Sequence, residues 1–427
     1  DGPPRVISTH EADTVYRRAF GGLVDNALAS GASIVVDFSD RTVTAQVIRI
    51  LEPVLRQAAL VTTKLILHFI TASIKECARR HETWALLSNI FSLSPVEALD
   101  LSVNALGDTT MPFVTPLIEI RTLTSINLFD TGMSPVGAEM VNACLLPIAS
   151  QIQHLNIGMN AFKGTGGLAL APLLEASTNI VSFVVADARL RGTGTVAVTS
   201  ALAKMAMSRP SGRTLLTTLD LDGSSLCTGT FAEIAADGAP FDPNGAYTFV
   251  EPSGTDDGVE NETSANAVPA LLHLIRASPF LQKAIFSSTN LQADEMRLIL
   301  GAVEDSGASL THLDISWIEI DVGLLTTHID NHHAGSLIEL HMEGTCIDGD
   351  ELSTILPVLT RCNNLRVLNL SHNSLDEDMF AVLADPNHKI GSLELLNLID
   401  DENDDIEAEV AAIVALYGAD VVRVARV

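Results

Sequence analysis

The apolar residues of this chain fall into a recurring phrase. It is clearest at Leu365-x-x-Leu368-x-Leu370-x-x-Asn373-x-Leu375. The same frame fits Val96 to Leu106, Ile152 to Phe162 and Leu216 to Leu226, and more loosely Leu310 to Ile320. Within the phrase the leucines alternate with a period of two, which predicts a short strand with one apolar face. The Asn or Thr that follows predicts an inward turn whose side chain satisfies backbone groups in the bend. Beyond it the spacing lengthens to i, i+3, i+4 and i+7, as at Leu352, Ile355, Leu356 and Leu359, which predicts an amphipathic helix.

With the second apolar position as anchor, the units centre on Leu99, Ile126, Leu155, Phe183, Leu219, Ala284, Leu313, Leu340, Leu368 and Leu396. Most intervals are 27 to 29 residues; two are longer, 36 after Phe183 and 65 after Leu219. Two degenerate units frame on Val36 and Leu67. One unit cannot bury both its strand and its helix, so the units must stack around a shared core. In this recurrence the chain resembles the leucine-rich repeat family, in the long-repeat class of ribonuclease inhibitor and the Ran GTPase-activating proteins. The resemblance covers about residues 96–398, and reaches back to Val36 with the degenerate units. It implies an α/β solenoid, a horseshoe of about 10–12 repeats of about 28 residues, with parallel strands on the concave face and helices on the convex one. Asn holds the turn position only at Asn104, Asn160 and Asn373, so looser turns are expected in the other units.

The expected organisation is a tail and capping helix over residues 1–30, a solenoid over 31–398, and an acidic block with a C-terminal cap over 399–427. The long interval after Leu219 contains residues 228–264, with eight acids and no Lys or Arg, read as a loop inserted on the helical side. A shorter insertion is expected at Met207 to Thr214.

Charge narrows the choice of partner. Among 427 residues, 53 acids against 25 bases leave a net charge of −28, a poor match for nucleic acid or an anionic membrane and a good one for a protein with a basic face. No apolar run is long enough to span a bilayer. Cys77, Cys144, Cys227, Cys346 and Cys362 are odd in number and widely spaced, which reads as free thiols in a reducing compartment.

The residues next to the strand leucines should face the concave side. The binding candidates are Asp100, Asn127, Asn156, Asp220, Asp314, His341, Asn369 and Asn397 in one column, with Phe129, Met159, Trp317 and Glu343 close by. Val184 and Ile285 complete the column. Trp317 among carboxylates has the character of an interface anchor. His328 and His332 have the i, i+4 spacing of metal ligands, but no third ligand is evident and a solvated helix end is expected, with no metal or cofactor. The segment from Lys163 to Leu170 lacks the ending of a phosphate loop and reads as a turn into a helix. Asn261-Glu262-Thr263 is a glycosylation sequon that matters only in a secreted chain. Arg41, just after the first candidate strand, is where the resemblance to Ran GTPase-activating proteins would place a catalytic arginine. No catalytic constellation stands out.

The resulting expectation is a non-enzymatic interaction scaffold, a cytoplasmic subunit of a multiprotein complex that holds its partner on the concave face. The alternatives are a Ran-type GTPase-activating protein and a regulatory subunit of a cilium or flagellum complex.

Overall fold

The computed structural model describes residues 5–70, 77–226, 266–373, 375–399 and 407–424, with only the backbone described at 77–80 and 407–409. The expected insertion at 228–264, its sequon and residues 400–406 of the acidic block therefore lie outside the described residues. The chain forms two compact units, Asp1–Met205 and Ala206–Val427.

Both units are built from parallel strands of two to five residues alternating with helices. In the first unit the anchors pair in one register, Val36 with Leu65, Leu65 with Leu99, and on through Ile126 and Leu155 to Phe183. In the second, Leu219, Ala284, Leu313, Leu340, Leu368 and Leu396 pair in the same way. One anchor differs from the sequence reading. The second degenerate unit centres on Leu65, not Leu67, because Lys64-Leu65-Ile66 pairs with Ala98-Leu99-Asp100. A slip of two residues keeps the same side chains facing inward, so the apolar pattern alone does not distinguish the frames.

The anchors and the residues two positions later are buried throughout, from Val36 and Phe38 to Leu396 and Leu398. Where the anchor shrinks to Ala284, the next inward position grows to Phe286, which keeps the layer filled. The helices bury their facing stripes, for example Leu352, Ile355, Leu356 and Leu359 of the helix Gly349–Leu359. That helix starts on a capping box between Asp348 and Glu351.

The turn after each strand carries the structural signature of the fold. The residue four positions past the anchor is Asp40, Phe69, Val103, Asp130, Met159, Asp187, Gly223, Ser288, Trp317, Gly344 or His372, and each has a left-handed φ between 50° and 65°. In this conformation the N–H turns sideways and donates to a carbonyl of the next repeat, as from Val103 to Phe129 (2.8 Å), Ser288 to Ser316 (3.0 Å) and Trp317 to Glu343 (2.7 Å). The turns without Asn keep the same bond, at 2.7 Å from Trp317 to 3.2 Å from Asp40, against 2.7–2.8 Å in the turns that carry Asn104, Asn160 and Asn373.

Where Asn is present it ties two turns together. Asn373 is buried; its Nδ2 donates to Met342 of the preceding repeat and to Leu370 and Ser371 of its own, and its Oδ1 accepts from the Thr345 N–H and hydroxyl and from Ile347 N–H. Asn104 and Asn160 make equivalent links to Leu67 and Leu128. A second regularity lies on the helices. Pro53, Pro116, Pro172 and Pro357 each stand seventeen residues past an anchor, inside a helix and away from its buried stripe. On that side the carbonyls left without an N–H partner meet water.

Short elements close the two ends of the chain. The N-terminal helix Arg17–Ser30 follows a π-helical turn, Ala12–Tyr16; it buries Val24 and Ala27 and leaves Leu23 and Leu28 exposed. At the C-terminus the strand Val422–Arg423 pairs with Leu396–Asn397.

Leu368→Ala should cost about 2–5 kcal/mol, the range for a truncated core leucine. Asn373→Ala should cost a similar amount, about 2–4 kcal/mol, because several buried backbone groups lose their partner at once. Urea denaturation of both variants checks this, and a cost under about 1 kcal/mol for Asn373→Ala would contradict the role given to the side chain.

Candidate functional site

Most of the candidate column is occupied with local structure. Asp100 Oδ1 accepts from the N–H and hydroxyl of Ser102, Asn127 Oδ1 from Phe129 N–H, and Asn156 Oδ1 from Gly158 N–H. Asp220, Asp314 and Asn369 accept in the same way from Asp222, Ser316 and Ser371. These are Asx turns, in which a short polar side chain caps the backbone two residues on. The side chain at the end of each strand thus directs the chain into the left-handed turn. Asn127 Nδ2 also reaches Asp100 at 3.2 Å, and Asn369, which is buried, reaches Glu343 at 2.9 Å. Asn397 and His341 are half-buried.

Two candidates are about half exposed, Met159 at 43% and Trp317 at 52%. Met159 lies in the first unit, beyond Phe129, whose ring lies over Gly158: a Cβ on Gly158 would come within 3.1 Å of Phe129 Cδ2. The second unit repeats this device on a larger scale. A Cβ on Gly344 would lie 2.5 Å from Trp317 Cε3, so only glycine leaves room for the indole. The ring extends across Gly344 towards His372, with centroids 5.7 Å apart. Trp317, Gly344 and His372 are the left-handed residues of three successive turns.

On the strands that lead into these turns acids and histidines alternate. Glu339 lies 3.3 Å from His312 Nε2 and 3.5 Å from His341 Nε2, and Glu343 lies 3.7 Å from His372 Nε2. Asp314 stands at the end of the strand before Trp317, and Asp220 two strands further back. Burial pushes the Asp220 carboxyl up to about 6, helped by the nearby charges of Asp222 and Asp314 and opposed by the Asp222 N–H and Lys283. The seat is therefore an exposed indole, rigidly backed and set in a field of carboxylates.

The remaining sequence candidates resolve differently. Lys163 opens the helix Lys163–Ala176, and its glycines serve packing: a Cβ on Gly167 would lie 2.5 Å from Gly194 Cα of the neighbouring helix. Arg41 pairs with Arg5 in a two-stranded ladder, and its Nη1 donates to the carbonyl of Asp40. His328 does not sit on a solvated helix end. It is buried, as is His333, and the two are joined Nε2 to Nε2 at 3.0 Å. Burial, with the neighbouring histidines, pushes His328 down to about 3; burial and His332 push His333 down to about 4. Cys144 and Cys362 are buried free thiols, and Cys346 is an exposed one. Burial raises Cys362 to about 11.

The carboxyl of Asp220 gives a pH prediction. The folded state holds its proton up to about 6, whereas the unfolded chain releases it near 3.8, so this group lowers stability as pH rises through that window. Asp220→Asn keeps an acceptor for the Asp222 N–H and removes the buried charge. It should stabilise the second unit by about 1–2 kcal/mol above pH 7, with the gain vanishing below pH 4. Denaturation of both proteins across pH checks this, and a pH-independent difference would contradict it.

A family model described as Leucine Rich Repeat matches residues 364–384, which span the strand Val367–Asn369, its turn and the helix Glu377–Ala384. No curated protein matches the sequence. The matched segment and the ladders of parallel strands together fit a leucine-rich-repeat protein, a class that typically mediates protein–protein interaction rather than catalysis.

Proposed function

We propose that this chain is a non-enzymatic protein-interaction module that takes a partner with a basic face on the strand side of its second unit, with Trp317 as the anchor. The observation that carries the reading is the seat of Trp317. A large apolar ring is held half-exposed at 52% in a left-handed turn, with a glycine reserved beneath it. An exposed, immobilised indole loses little entropy on docking, and Trp is the residue most enriched at binding hot spots. Glu343 beside it and Asp314 at the end of its strand, with Glu339 further back on the next strand, supply the complementary field for a basic partner.

The surroundings of Arg41 do not favour the GTPase-activating alternative, since its guanidinium is folded onto its own turn. A scaffold or complex-subunit role in a reducing, cytoplasmic setting suits the free thiols at Cys144, Cys346 and Cys362. No helix among the described residues is long and apolar enough to cross a membrane.

The test is capture of binding proteins from the native source on the immobilised full chain, followed by surface plasmon resonance with the purified partner. Salt should weaken binding mainly by slowing association, because exposed charges are screened beyond about 8–10 Å. Trp317→Ala should instead speed dissociation by about tenfold or more. Gly344→Ala should mimic it, because the added methyl displaces the indole. A partner indifferent to salt and to both substitutions would place recognition elsewhere on the chain.

A further inference from the structure

Of the polar clusters outside the strand face, one joins two successive repeats on the helical side. His328 ends the helix Val322–His328, and a π-helical turn, Ile329–His333, continues from it. The wider π-helical turn brings both the i+4 and i+5 residues over residue i, and such turns are frequent at functional sites. Here His332 and His333 both stand against His328, with ring centroids 5.3 Å and 4.7 Å away. The preceding repeat contributes Glu304, from the last turn of the helix Ala293–Ser306. Its Oε1 lies 3.3 Å from His332 Nε2. Ligand atoms of Glu304, His328 and His332 all lie within 4.8 Å of one another.

We propose that Glu304, His328 and His332 form a binding site for one divalent transition-metal ion of zinc type. Two histidines and a carboxylate, with a fourth position left to water, are a ligand set zinc accepts. Tetrahedral bonds of about 2.0–2.2 Å put neighbouring ligands about 3.4 Å apart. The Glu304–His332 pair already has that separation, at 3.3 Å, and His328, within 4.8 Å of both, closes the triangle by drawing in. The site is accessible: the Glu304 side chain is 57% exposed and that of His332 29%, while His328 forms the buried floor. A bound ion would fasten the helix Ala293–Ser306 to the next repeat.

The fourth histidine limits the affinity. Leu310 N–H donates to His333 Nδ1 at 3.3 Å, which places the proton of neutral His333 on Nε2, pointing at His328 Nε2. An ion that takes His328 at Nε2 replaces that hydrogen bond. Binding is therefore expected in the micromolar range rather than at the strength of a preformed four-ligand site.

The experiment is isothermal titration of the full chain with zinc chloride in a non-chelating buffer, with metal content measured after dialysis. Cobalt substitution then reports coordination geometry through its visible absorption. One equivalent should bind at the site. Glu304→Gln and His332→Ala should each weaken it at least about tenfold, and His154→Ala, on an exposed strand position of the first unit, should leave it unchanged. Both altered side chains lie at the surface, and the Glu304→Gln change is nearly isosteric, so circular dichroism should show the wild-type fold. Absence of binding at micromolar zinc would reduce the cluster to a surface ion pair beside a buried histidine pair. Binding that persists undiminished in both variants would be adventitious. Either result overturns the proposal.

Discussion

The structure depends on one hydrogen bond, repeated at the exit of each strand. A left-handed residue turns its N–H out of the chain's own path and onto a carbonyl of the next repeat, at 2.7–3.2 Å wherever both turns are described within one unit. Three-residue strands such as Val367–Asn369 form few ladder bonds. The turn extends the ladder past the strand and into the bend, so the stack holds in register where the strand ends. A left-handed residue other than glycine is disfavoured by roughly 1–2 kcal/mol, and among the described turns only Gly223 and Gly344 are glycine. The turn is therefore kept by what surrounds it: the inter-repeat bond, the Asx cap from the strand end and, in three repeats, a buried Asn.

This constraint bears directly on function. Aspartates and asparagines at the strand ends look like a recognition surface because they recur on the strand face, yet the same recurrence reflects the turn. Each such oxygen that accepts an N–H two residues on is partly withdrawn from a partner. What distinguishes one place on the face is a departure from the pattern. Trp317 fills a left-handed position with the largest side chain available, and the repeat after it has glycine where the ring must lie.

The architecture was legible because it rests on periodicity, and within each unit the strand anchors, Leu99 to Phe183 and Leu219 to Leu396, pair as the apolar spacing predicts. The frame slipped only at Leu67, where Leu65, Leu67 and Phe69 alternate without an Asn to fix the count. The left-handed position was not legible, because residues as unlike as Asp130, Phe69 and Trp317 occupy it; backbone geometry defines it, not side-chain chemistry. The prolines seventeen residues past the anchors were legible in principle, since Pro53, Pro116, Pro172 and Pro357 line up once the anchors are known. The cluster on the helical side was not. His328 and His332 are visible as a pair, but Glu304 comes from the preceding repeat, and only stacking shows that it is a neighbour.

The central claim is that recognition is concentrated at the Trp317 seat while the rest of the strand face serves the turns. Hydrogen–deuterium exchange of the chain with and without its captured partner tests it most directly. The account predicts that slowed exchange centres on the turns around Trp317, Gly344 and His372, with the helices of the same repeats unchanged. Protection confined to the helices, or spread evenly along the strand face of both units, would contradict it.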